Sequence, residues 1–225
     1  MPVSQCPSRS PEAVADAATE LGELGETIGV AGDVSAAGDA ERAVGELLSR
    51  WRRVDVLVQC AALGGNAPLD QLDPDVVDQQ LAVNVKGVLL CAKAVASPMR
   101  QQGRGRIINV ASIMGHLSLP LYGASKAAVS HATRALATEL GSDGITVNCV
   151  SPANTPTALR KVGEAPGSPT VPPGSSGGSA EKIPLRRRGE LDDYVGPILF
   201  FASDLARYIT GADVLADGGL GLLRA

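Results

Sequence analysis

The chain has 225 residues, with 20 Lys+Arg against 24 Asp+Glu, a formal net charge of −4, 44% apolar residues and only 3% aromatics. A chain of this length buries roughly 70% of its unfolded surface, so it needs no staples, and its core must come from Ala, Val, Leu and Ile. The mild negative charge argues against a general nucleic-acid binder, and Arg186-Arg187-Arg188, the longest basic run, reads as solvated surface.

In chain order, Ser10-Pro11-Glu12 reads as a helix cap, a first-turn proline and a first-turn acid, and predicts a helix to about Leu21. Thr27 to Ala31 predicts a short strand. Val44, Leu47, Leu48 and Trp51 recur at helical spacing. Val54 to Gln59 predicts a buried strand. Asp75 to Gln102 predicts a long helix with a break near Pro98. Arg106 to Ala111 is a predicted strand, Leu121 to Leu140 an alanine-rich helix, and Ile145 to Val150 a strand. A helix over Leu191 to Ser203 and a strand over Asp213 to Ala216 close the series.

Alternating strands and helices predict an α/β fold, a Rossmann-like doubly wound parallel sheet covered on both faces. The chain reads as a single domain over residues 1–225. Residues 158–181 are dense in Gly, Pro and Ser and read as a substrate loop at the carboxyl end of a strand. Cys6, Cys60, Cys91 and Cys149 are scattered without a CxxC pair, and His116 and His131 are the two histidines. No metal site and no disulfide framework is expected, which fits a reducing cytoplasm. No apolar stretch approaches a membrane span, so no membrane partner is expected. The opening MPVSQCPSRSPE has neither the basic nor the apolar region of a secretory signal.

Tyr122-Gly-Ala-Ser-Lys126 is the strongest chemical signal. Residues i and i+4 share a helix face, so the phenol and the ammonium can approach each other. A tyrosine of pKa ~10 is a poor base, and a nearby ammonium is expected to lower it to a usable general acid/base. Ser112 ends the strand RIINVAS, where a hydroxyl can hold a carbonyl oxygen. Asn84 sits in a helical stretch where an amide has poor propensity.

With GDV (32–34), DVLV (55–58), NVKG (84–87), RIINVAS (106–112), YGASK (122–126), VNCVSP (147–152) and ASDLARYITGADVLADGG (202–219), the chain resembles the short-chain dehydrogenase/reductase family from about residue 3 to its end. The resemblance implies an oxidoreductase that interconverts an alcohol and a carbonyl on a small molecule with NAD or NADP. Tyr122 would transfer the proton, Ser112 would orient the substrate oxygen, and Lys126 would tune Tyr122 and hold the ribose. Asn84 would hold a water. The cofactor side would comprise Asp33 and Val34, Cys60 and Ala61, Lys126, Pro152, Thr155 and Thr157. The resemblance also implies a dimer or tetramer, built through the helices around Asn84 and Tyr122.

The departures from the family pattern cluster on the cofactor side. A first strand with a TGxxxGxG turn is missing, and Pro2 to Cys6 match the family's second strand. The family's NNAG is here Gln59-Cys60-Ala61-Ala62, its Pro-Gly is Pro152-Ala153, and the spacer from Ser112 to Tyr122 is short. Either the chain is a piece of a longer dehydrogenase, or it is a short protein in which Met1–Cys6 fills the vacated slot beside Val54–Gln59. The departures keep two alternatives open. One is a cofactor-independent acid/base enzyme on the same scaffold (a dehydratase, isomerase, cyclase or lyase). The other is a non-catalytic partner subunit.

Overall fold

The structure, a computed structural model, describes residues 3–4, 10–65, 68–116, 119–153 and 180–224. Helix α1 (Pro11–Gly22) starts at the expected cap, where the Ser10 hydroxyl accepts from the Ala13 N–H at 3.3 Å. Helix α2 (Ala37–Trp51) turns Val44, Leu47 and Leu48 toward the core.

The strands form two parallel ladders. In one, β1 (Val3–Ser4) lies on β2 (Thr27–Ile28), with Val3 opposite Thr27. In the other, β3 (Val56–Gln59), β4 (Gly105–Val110), β5 (Ile145–Pro152) and β6 (Asp213–Ala216) lie side by side in that order. Parallel neighbours require crossovers, and the helices supply them on both faces. Val95, Met99, Ile107, Leu140 and Val147 pack together on one side, and Ile108, Val150 and Phe201 on the other. The α/β, doubly wound parallel architecture is therefore the one expected.

Two strand expectations need correction. Val3–Ser4 does not lie beside Val54–Gln59 but ladders onto Thr27–Ile28, and the rest of Met1–Cys6 is outside the described residues. The strand expected to be buried over Val54–Gln59 begins at Val56, and Val56, Leu57 and Val58 are half-buried. A parallel strand is fully covered only between two neighbours, and β4 is its one neighbour in the described ladder.

The long helical stretch breaks at a different place from the one expected. Helix α3 (Pro74–Leu81) passes into a π-helical turn over Ala82–Lys86 and then into α4 (Gly87–Gln102). Pro98 lies inside α4 without ending it. The buried contacts of Val95, Ala96 and Met99 hold the last turn against the loss of one backbone hydrogen bond. By length and composition alone, Pro74–Gln102 could cross a membrane, contrary to the expectation from the sequence. Its buried residues Val88, Cys91, Ala92, Val95, Ala96 and Met99 instead make it a helix of the core.

Helix α5 (Tyr122–Leu140) and helix α6 (Asp192–Ala202) fall where they are predicted. Residues 158–179 of the expected substrate loop lie outside the described residues.

Candidate active site

The expected proton-transfer residues converge at the carboxyl ends of β3, β4 and β5. Ser112 follows β4 by two residues and is buried. Its hydroxyl accepts from the Met114 N–H at 3.2 Å, which opens a 3₁₀ turn over Ile113–His116. That turn seats on α5. A Cβ on Gly115 would lie 2.8 Å from the Ala127 nitrogen, so only glycine allows the approach. The short spacer thus folds back along the helix it precedes, and the Ser112 hydroxyl reaches the phenol of Tyr122, the first residue of α5.

Burial pushes the Tyr122 phenol above its usual range, and the hydrogen bond with Ser112 opposes that shift. The ammonium was expected to lower it, but Lys126 is aimed elsewhere. Its Nζ donates to the Val110 carbonyl at 2.9 Å and stands 5.9 Å from the centre of the Tyr122 ring. Lys126 is 3% exposed, and burial lowers its pKa to about 8. Thiolates at Cys149 and Cys60 would favour its charge, but burial pushes both thiols up. Cys149, also buried, is itself pushed up to about 12.

Asn84 lies in the π turn and is buried. Its Oδ1 accepts from the Leu63 N–H at 2.7 Å, and its Nδ2 donates to the Leu63 carbonyl at 2.9 Å and to Ser125 Oγ at 3.0 Å. The amide therefore ties the segment after β3 to α5. Both of its N–H groups are spent on protein, leaving one lone pair of Oδ1 for a water. Ser125 was not singled out in the sequence, although it stands inside YGASK. It passes the connection on by donating to the Tyr122 carbonyl at 2.8 Å.

The residues expected on the cofactor side are partly gathered. Asp33 Oδ1 accepts from the backbone and the hydroxyl of Ser35, at 2.9 and 2.7 Å. Val34 is buried against Gly87, where a Cβ would meet the valine at 2.9 Å. That contact explains the glycine of NVKG. Ala61 packs into the same cluster as Val34 and Val83. Cys60 is exposed and lies close enough to Lys126 to act on its charge. Pro152 ends β5 opposite Ala216. Thr155 and Thr157 lie outside the described residues.

Gln59, a departure from the family pattern, has a defined role. Its amide donates to Asn109 Oδ1 at 2.9 Å and to the Val88 carbonyl at 3.2 Å, and Asn109 donates to Thr133 at 2.8 Å. This buried chain joins β3, β4, α4 and α5 directly beneath the site. Beside β5 and β6, a cavity of about 460 Å³ is lined by Ala153, Ile183, Leu185, Tyr194, Leu215 and Asp217, among others. Ser112, Tyr122 and Lys126 are not in its lining. Among the described residues no cluster of His, Cys, Asp or Glu has the make-up of a metal site.

A family model described as enoyl-(acyl carrier protein) reductase matches residues 4–221. The chain is 35% identical over 212 residues to the cyclohexanol dehydrogenase of Rhodococcus sp. (strain TK6), covering 89% of this chain and 76% of that protein. It is 34% identical to the D-threitol dehydrogenase of Mycolicibacterium smegmatis, covering 88% and 75%. Among solved structures, a 3-ketoacyl-ACP reductase from Sinorhizobium meliloti 1021 superimposes with a TM-score of 0.85 at 31% identity, covering 99% of this chain and 90% of that one. A gluconate 5-dehydrogenase from Burkholderia cenocepacia J2315, solved with NADP and tartrate, superimposes with a TM-score of 0.82 at 28% identity, covering 97% and 84%.

Proposed function

The chain belongs to the short-chain dehydrogenase/reductase family and is an oxidoreductase; on that premise we propose that it reduces a small ketone to a secondary alcohol, with Tyr122 as the proton donor. The observation that carries this reading is the phenol of Tyr122 at the head of α5, hydrogen-bonded to Ser112 and pushed by burial further above its usual range.

The residues present fit a nicotinamide cofactor on its ribose side. Lys126 is a buried amine whose hydrogen bond among the described residues goes to Val110, which leaves two of its three N–H groups for the hydroxyls of a diol. Asp33, Val34, Cys60, Ala61 and Pro152 would border the rest of the cofactor, and the nicotinamide, when bound, supplies the hydride. Ser112 holds the substrate oxygen and polarises it. Tyr122 gives up its proton as negative charge develops on that oxygen. Asn84 keeps the segment after β3 and the first turn of α5 at a fixed separation.

The names of the relatives support alicyclic and polyol alcohols as the first substrates to try, and the reading extends to an assembly of identical chains. Val195, Leu199 and Phe200 of α6 and Val214 and Leu215 of β6, the strand at one end of the described ladder, are exposed apolar residues. Ala124 and Ala127 of α5 and Leu89 of α4 are exposed on the helices through which the family resemblance implies assembly. A cytoplasmic location is part of the same proposal.

The test is titration with NADH and NADPH followed by turnover of cyclohexanone. The wild-type protein binds one cofactor saturably. Tyr122→Phe keeps that binding and loses about 10²- to 10⁴-fold in kcat. Equal turnover by Tyr122→Phe overturns the assignment.

A further inference from the structure

One carboxylate outside the expected set gathers the segments that carry the site. Asp213, the first residue of β6, has a side chain 10% exposed. Its Oδ2 accepts from Ser130 Oγ at 2.6 Å and faces His116 Nε2 at 3.3 Å. Its Oδ1 accepts from Ser151 Oγ at 2.7 Å. Ser130 and Ser151 are buried, and His116 is exposed at the end of the turn that Ser112 opens.

Each partner leads to a different part of the site. His116 closes the turn that runs from Ser112. Ser130 stands on α5 one turn beyond Lys126 and two beyond Tyr122. Ser151 immediately precedes Pro152 on β5. Cys149, opposite Asp213 in the ladder, feels both the Asp213 carboxylate and the Lys126 amine. Three donors on one acceptor-only group fix the relative placement of three chain segments, and a charged acceptor makes each bond stronger than a neutral one.

We propose that Asp213 is a positioning residue, whose carboxylate sets the distance between Ser112 and Tyr122 by clamping the turn after β4 and helix α5 to the end of the sheet. The proposal rests on the reading of Tyr122 as the proton donor, but its consequence for the phenol can be read without turnover. Asp213→Asn places an N–H group where donors converge, so the turn carrying Ser112 loosens from α5. Tyr122 then loses the hydrogen bond that lowers its pKa, and its titration moves upward.

The chain has three tyrosines. Carbon-13 labelling at tyrosine Cζ therefore gives three NMR signals, and Tyr122→Phe identifies the one to follow. In Asp213→Asn the titration of that signal shifts to higher pH, and kcat for cyclohexanone reduction falls about 10- to 100-fold with KM for the cofactor unchanged. His116→Gln, which cuts one arm at an exposed residue, gives a smaller shift in the same direction and serves if Asp213→Asn fails to fold. A Tyr122 titration that stays in place in a folded Asp213→Asn, or in His116→Gln when Asp213→Asn does not fold, overturns the positioning role. Absence of turnover in the wild-type protein, with the NMR shift present in the variants, instead overturns the proposed reaction and leaves the clamp standing.

Discussion

Replacing Lys126 with methionine should make the protein more stable at neutral pH while abolishing its activity. Lys126 is 3% exposed, and its pKa falls from 10.5 to about 8 in the folded chain. At 1.36 kcal/mol per unit, holding the ammonium in the interior costs the fold about 3 kcal/mol below pH 8. Methionine fills a similar volume without that charge, but leaves the Val110 carbonyl without the donor it has at 2.9 Å, which returns about 1–3 kcal/mol. The net gain is therefore about 0–2 kcal/mol at pH 7. The pH dependence is the sharper reading. The unfolded lysine holds its proton up to 10.5 and the folded one releases it near 8, so wild-type stability rises through that window and the variant's does not. Urea unfolding of both proteins at pH 7 and pH 9.5 should show the advantage of Lys126→Met shrinking by about 2 kcal/mol. A stability difference that stays constant over that range would refute the claim that burial sets the state of Lys126.

Gln80 is fully buried on α3, and neither its amide nitrogen nor its amide oxygen has a hydrogen-bond partner among the described residues. Gln80→Leu should therefore stabilise the fold by about 1–3 kcal/mol with kcat unchanged, measured by urea unfolding and steady-state assay. Gly115→Ala should do the reverse, because its Cβ would lie 2.8 Å from the Ala127 backbone. It should cost about 1–3 kcal/mol and lower kcat by pushing the Ser112 turn off α5. Because burial raises the Tyr122 pKa, ketone reduction should hold its rate through neutral pH, whereas alcohol oxidation, which needs the phenolate, should keep climbing well into the alkaline range. An oxidation rate that levels off near pH 7 would contradict the raised pKa.

Residues that act through local spacing were readable in the sequence. Ser10 capping α1, the periodic apolar residues of α2, and Tyr122 with Lys126 on one turn of α5 all follow from rules that span a few positions. The direction of the Lys126 amine was not readable, because its acceptor is the carbonyl of Val110 on another element. The same holds for Gln59, a departure from the family pattern whose amide bonds to Asn109 on β4 and Val88 on α4. Asp213 and His116 are 97 positions apart, and no local pattern joins them. The half-buried state of β3 depends on the order of the strands, which the apolar run Val56–Val58 does not encode. The π turn at Asn84 left only one trace in the sequence, an amide in a poor helical position.

That turn also constrains how the gene can change. A π turn over Ala82–Lys86 holds one residue more than the regular spiral would at that point. Deleting one codon there would restore regular winding, and because the wide turn takes up its extra residue within itself, α4 would keep its facing. Val88, Ala92, Val95 and Met99 would stay in the core, and the loss would fall on Asn84, whose bonds to Leu63 and Ser125 start from the widened turn. In a lineage carrying this segment, a change of length here should therefore cost the site rather than the core.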